Sequence, residues 1–106
     1  MKTWLVAPVA LSISIGAAPA ARADGASDYL SGLDAAHIAY SNPATALDIG
    51  NSICQQLHRN AAPDVAAQAA LRAGYEPGQA GKILFFASHA LCPDTAAAVD
   101  RWGDSP

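Results

Sequence analysis

NPATALDIGNSICQQLHRN, residues 42–60, decides the fold class of this chain. Asn42 caps a helix well, and Pro43 suits the first helical position, where its missing N–H has no intrahelical partner to lose. From that start Ala46, Leu47, Gly50, Ile53, Cys54 and Leu57 recur at helical spacing and make one apolar stripe. Cys54 therefore faces a core. Gly50 within the stripe costs about 1 kcal/mol of helix propensity relative to alanine, so its expected compensation is the close approach of a neighbouring helix. The stripe ends near Arg59-Asn60, where a basic residue complements the negative end of the helix.

Working outward, helix formers dominate and breakers fall at regular intervals. Ser27 to Ala36 reads as a short first helix, with Ser27 as cap, Asp28 at the positive end, and Leu30 and Leu33 one turn apart. His37 follows as the terminating residue, a less common choice than Gly or Asn for a left-handed stop. Downstream, Ala62-Pro63-Asp64 opens an alanine-rich helix that runs through Arg72 and closes at Gly74. Pro77 opens a fourth helix with the stripe Ala80, Ile83, Leu84, Ala87 and Leu91, and Pro93 stops it just after Cys92. Asp94 to Trp102 adds a short further helix capped by Asp94. The expectation is all-α: a small bundle of four to five short helices with one disulfide.

Alanine favours helix but contributes little apolar area. The expected core therefore rests on Leu30, Leu33, Ile38, Leu47, Ile53, Leu57, Val65, Leu71, Ile83, Leu84 and Leu91, ringed by Tyr29, Tyr40 and Phe85 or Phe86. Domains below about 70–80 residues rarely gain more than 3–5 kcal/mol from a core alone. A staple matters at this size.

The start of the chain, MKTWLVAPVALSISIGAAPAARADG, has a charged opening, an apolar run from Trp4 to Gly16 and an Ala21-Arg22-Ala23 exit. That is the pattern of a secretory signal peptide over residues 1–23, cleaved after Ala23, with Ala20 as the second choice. Pro8, Ser12, Ser14, Gly16 and Pro19 make the same stretch a poor membrane span. The domain is then residues 24–93, followed by a tail over 94–106, and the localisation is secreted or cell envelope. The four cations and nine carboxylates left after residue 23 give four minus nine, or −5, with neutral histidines. A phosphate-backbone partner needs clustered Lys and Arg, which argues against nucleic acid.

The two cysteines each have a nearby histidine, His58 four residues after Cys54 and His89 three before Cys92. An exported chain with an even cysteine number is expected to oxidise them. Cys54 and Cys92 would then join the second helix to the end of the fourth. The alternative is tetrahedral zinc held by Cys54, His58, His89 and Cys92. Against it stand the oxidising compartment and the projection of His89 away from the Ile83-Leu84-Ala87 stripe. A thiol nucleophile paired with His58 needs Cys54 reduced. No other constellation makes a motif: the carboxylates occur singly, and Gly78-Gln79-Ala80-Gly81 is too short for a phosphate loop and follows no strand. No catalytic residue and no cofactor is expected. Phe85-Phe86 puts one ring off the main stripe, and Phe85, Phe86 and Trp102 are the candidates for an apolar contact with a partner.

With these features placed, the chain resembles the small secreted mycobacterial family known as domain of unknown function 732 (DUF732). The residues that carry the likeness are Leu30-x-x-Leu33-Asp34, Ile38-x-Tyr40 and Pro43, then Ala46-Leu47-x-x-Gly50-x-x-x-Cys54-x-x-Leu57, Gly74, Gln79-Ala80 and Leu91-Cys92-Pro93. It departs from the family pattern at His37, where glycine is commoner, and at Leu91, where an aromatic residue is. The resemblance implies an exported helical domain with a Cys54–Cys92 bridge, and it supplies no activity. The function expected is a non-enzymatic protein-interaction module of the cell envelope or extracellular space. The alternatives are a small apolar-ligand or lipid-binding protein and, below that, a zinc- or thiol-dependent enzyme.

Overall fold

The computed structural model describes residues 25–103, so the stretch read as a signal peptide lies outside the described residues. Those residues are helical with short connections, and no strand occurs among them. Helix α1 covers 25–35, α2 Pro43–His58, α3 Pro63–Ala66, α4 Gln68–Arg72, α5 Pro77–Phe86 and α6 Ala96–Gly103. Between α5 and α6 the chain makes one wide π turn, Ala87–Leu91, and one tight 3-10 turn, Pro93–Thr95.

Helix α2 is the centre of the packing. Its buried residues are Ala46, Gly50, Ile53, Cys54 and Leu57, and the Asn42 side chain accepts the Thr45 backbone N–H at 2.9 Å, as the sequence predicts. At Gly50 a methyl group would sit 2.6 Å from Leu91 Cδ1 and 2.8 Å from the Tyr29 ring. The missing side chain thus lets Tyr29 of α1 and Leu91 of the π turn close over α2. Tyr29 is buried and its hydroxyl donates to the Ala46 carbonyl at 2.8 Å.

Three helices end in the same way. His37, Asn60 and Gly74 take positive φ angles of 59°, 65° and 101°. Around each, two backbone bonds close the last turn: His37 N–H to Asp34 O and Ile38 N–H to Leu33 O, Asn60 N–H to Leu57 O and Ala61 N–H to Gln56 O, Gly74 N–H to Leu71 O and Tyr75 N–H to Ala70 O. This double closure satisfies carbonyls that the helix itself leaves unpaired.

The structure corrects four local expectations. Helix α1 is already formed at Gly25, so Ser27 lies inside it and does not cap it. The alanine-rich helix is broken at Ala67, where the Ala70 N–H reaches back only three residues, to Ala67 O. Its buried positions are Ala66, Ala67 and Ala70, which leaves Val65 at 45% and Leu71 at 39% exposure and outside the core. The last helix starts at Ala96, and Asp94 sits in the 3-10 turn without capping it. The core itself is built around Tyr29, Leu33, Ile53, Ile83, Leu84 and Ser88. Ser88 is tolerated there because its hydroxyl donates to the Phe85 carbonyl at 3.0 Å.

Candidate functional site

The cysteines are a staple. Cys54 and Cys92 are joined by a disulfide with the Cα atoms 5.9 Å apart, within the ordinary range for such bridges. The bond ties α2 to the end of the π turn. Cys54 is 7% and Cys92 3% exposed. The Thr95 hydroxyl covers Cys92, donating to its carbonyl at 2.7 Å with the sulfur 3.3 Å away. Both sulfurs lie within 3.7 Å of the Ala87 carbonyl, but a bridged sulfur has no proton to donate, so these are packing contacts.

The histidines turn away from the sulfurs. His58 Nε2 meets Asp94 Oδ2 at 2.9 Å, and His89 Nε2 meets Asp100 Oδ1 at 2.8 Å. Each is bonded to a carboxylate of the C-terminal segment, and the four residues considered for zinc are not brought together as a ligand set. Among the described residues no group of three or more His, Cys, Asp or Glu side chains is arranged to hold a metal ion. His37 occupies the left-handed turn after α1.

The aromatic candidates divide. Phe86 is half-buried, and its ring covers Gly32 of α1 so closely that a methyl group there would come within 2.5 Å of Cδ1. Phe86 is thus a packing residue between α5 and α1. Phe85, whose ring meets that of Phe86 edge-on with centroids 5.6 Å apart, is 46% exposed, and Trp102 on α6 is 42% exposed. Phe85, Leu84 and Gly81 of α5 face Val99, Asp100, Trp102 and Gly103 of α6 across an open groove of about 240 Å³. The Phe85 ring also packs on His89, with centroids 4.2 Å apart, and His89 is in turn bonded to Asp100. Phe85, His89, Asp100 and Trp102 therefore form one continuous patch.

Sequence reasoning named Phe85 and Trp102 but missed His89 and Asp100 as their companions. The signal present was the four-residue spacing of Phe85 and His89, which places them on one helix face. Asp100 could not be found without knowing how α6 folds back. Other clefts open to solvent include one of about 480 Å³ bordered by Gly25, Leu47, Asn51, Leu91 and Pro93, one of about 380 Å³ beside the His58–Asp94 pair, and one of about 330 Å³ between α2 and α4 bordered by Asp48, Ser52 and Arg72. Every buried side-chain nitrogen and oxygen among the described residues has a hydrogen-bond partner, so none is aimed unpaired into a cleft. No helix among them is long and apolar enough to cross a membrane.

The fold and the bridge define a small all-α domain stapled by a single disulfide. The chain belongs to the family described as protein of unknown function (DUF732), which matches residues 23–94. No curated protein and no solved structure matches it.

Proposed function

We propose that the chain is an exported, non-enzymatic binding module of the cell envelope or extracellular space, and that it meets a protein partner through the Phe85–Trp102 groove. The observation that carries this reading is the pair of large aromatic side chains left about half exposed on facing helices. Exposed aromatic area concentrated in a concave patch is characteristic of interaction surfaces, where a few such residues supply most of the binding energy. The buried disulfide favours export, since bridges of this kind persist in oxidising compartments, and the signal-like residues 1–23 point the same way. A lipid carrier would enclose its ligand, whereas this groove is open, and Leu84 and Val99 close its floor.

The test is a photo-cross-linking side chain placed at position 103, on the groove rim, in protein exported by its native host. The expected result is a discrete protein adduct that disappears in Phe85→Ser and Trp102→Ser variants whose circular dichroism matches the parent. Adducts indifferent to both substitutions, or adducts to lipid alone, would overturn the reading.

A further inference from the structure

The groove contains a glycine that the fold itself does not require. At Gly25, Gly32 and Gly50 a methyl group would collide with a neighbouring segment, and Gly74 takes a left-handed φ. At Gly78 and Gly81 of α5 it would meet nothing within 4 Å. Gly81 stands in the middle of the ten-residue α5, where glycine is the poorest helix former after proline, and it lines the groove together with Phe85 and Trp102. Gly78, Gly81 and Phe85 follow at three- and four-residue intervals and so share one helix face. The N-terminal half of that face is bare backbone, and its C-terminal half carries the Phe85 ring, stacked on His89. A face that is hollow at one end and filled at the other is complementary to itself when turned end for end.

We propose that the partner of this groove is a second copy of the chain. Two α5 helices pack antiparallel about a two-fold axis, and the Phe85 ring of each copy fills the space over Gly81 of the other, beside its Trp102 indole. This rests on the interaction reading above and names the partner. A two-fold interface uses one patch twice, with residue i of one copy on residue j of the other and the reverse, which is the relation proposed for Phe85 and Gly81. A volume of about 240 Å³ admits one large side chain and no folded element. Phe85 and Trp102 are 46% and 42% exposed. At roughly 200 Å² per aromatic side chain, the four rings contribute about 350 Å², and the surface they cover at most as much again, short of the ~1,000 Å² of a stable interface. The dimer is therefore weak and fills only at high concentration. Residues 25–103 carry four Lys and Arg side chains against seven carboxylates, so two copies repel at a distance, and salt should strengthen their association.

The experiment is sedimentation equilibrium of the exported, oxidised protein from about 20 μM to about 2 mM, at low and high salt. The expected result is a rise from one chain mass toward two, steeper at high salt. Gly81→Gln reaches into the groove from a position that is open in the single copy. It should leave the circular dichroism unchanged, raise the thermal midpoint, and weaken association about tenfold or more. Phe85→Ser should weaken it as much. An equimolar mixture of the two variants should associate at least about threefold more strongly than either alone, because the Phe85 ring of the first still finds an open Gly81 on the second. The other contact then sets a shortened side chain against a lengthened one. Association that survives Gly81→Gln, or a mixture that recovers none, would place the dimer on another surface and overturn the proposal. A single chain mass throughout, with cross-links from position 103 to a different protein that Phe85→Ser abolishes, would overturn the second copy as occupant and leave the interaction reading standing. A single chain mass with cross-links indifferent to Phe85→Ser and Trp102→Ser would overturn both.

Discussion

Reducing the Cys54–Cys92 bridge should remove much of the stability of the domain. The cysteines are 38 residues apart. In a chain-entropy treatment, a loop of that length restricts the unfolded chain by about 4 kcal/mol at 25 °C. Small domains have total stabilities of about 5–15 kcal/mol, so the bridge is a large share wherever this one falls in that range. Comparing oxidised with fully reduced protein of the same sequence isolates the cross-link from any change in side-chain volume. The assay is urea unfolding followed by circular dichroism. With a slope of about 1 kcal/mol/M, suited to so small a chain, losing 4 kcal/mol lowers the midpoint by about 4 M. At the lower end of that stability range the reduced protein keeps about 1 kcal/mol and unfolds at about 1 M urea. Reduction of the native protein should itself be slow, because both sulfurs are buried and Thr95 covers one of them. A midpoint shift below about 1 M would refute the reasoning, since it would mean that the unfolded chain is already restricted or that α2 and the π turn hold together without the bond.

Three further substitutions probe separate parts of the argument. Gly50→Ala gains about 1 kcal/mol of helix propensity but forces a methyl group against the buried Tyr29 ring, and overpacking costs about 1–3 kcal/mol; thermal unfolding should show a net loss, and an increase in midpoint would mean that Tyr29 moves aside freely. Burial pushes the Tyr29 hydroxyl well above the usual tyrosine range. The unfolded phenol then ionises near pH 10 while the folded one keeps its proton, so this group's contribution is complete below about pH 10 and is lost above it by about 1.4 kcal/mol per pH unit. Tyr29→Phe should flatten that alkaline decline in urea midpoints measured from pH 8 to 11, and an unchanged slope would assign the decline to other groups. His37 holds a left-handed φ of 59° that glycine adopts without a Cβ penalty, so His37→Gly should stabilise by about 0.5–1 kcal/mol and raise the thermal midpoint by a few degrees; a lower midpoint would show that the imidazole contributes more than the turn costs.

The sequence made the helices legible wherever a breaker sits beside a stripe. Asn42-Pro43 and the spacing from Ala46 to Leu57 mark α2, and Pro77 with Ala80, Ile83 and Leu84 marks α5, because capping and burial act within a few residues. The stops at His37 and Gly74 were readable for the same reason. The break at Ala67 carried no such mark: every residue from Ala66 to Ala70 except Gln68 is alanine, and propensity alone predicts an unbroken helix there. The π turn was equally silent, since its Cys92 N–H to Ala87 O bond widens the helix by one residue in order to aim Cys92 at Cys54. At the candidate site, Phe85 and Trp102 were visible as residues that no stripe needed. Their union with His89 and Asp100 depends on α6 folding back over α5, which is a property of tertiary packing and has no local signature.

That fold-back bears on why the groove exists. Residues 25–103 contain one tryptophan and two phenylalanines, and alanine fills many of the buried positions. Fully burying a side chain the size of phenylalanine is worth about 1.5–3 kcal/mol, which is comparable with the bridge itself. A domain this small, selected for stability alone, would turn Phe85 and Trp102 inward before relying on a disulfide. Instead Phe86 is spent on covering Gly32, while Phe85 and Trp102 stand at the surface facing each other. The two His–Asp pairs hold the C-terminal segment against the body at both ends, His58 to Asp94 and His89 to Asp100. Exposed pairs of this kind contribute little stability, about 0–1 kcal/mol each; of the two, only His89–Asp100 reaches α6, joining it to the π turn beside the groove. The bridge supplies the stability that the aromatics forgo, and the His89–Asp100 hydrogen bond borders the groove those aromatics line.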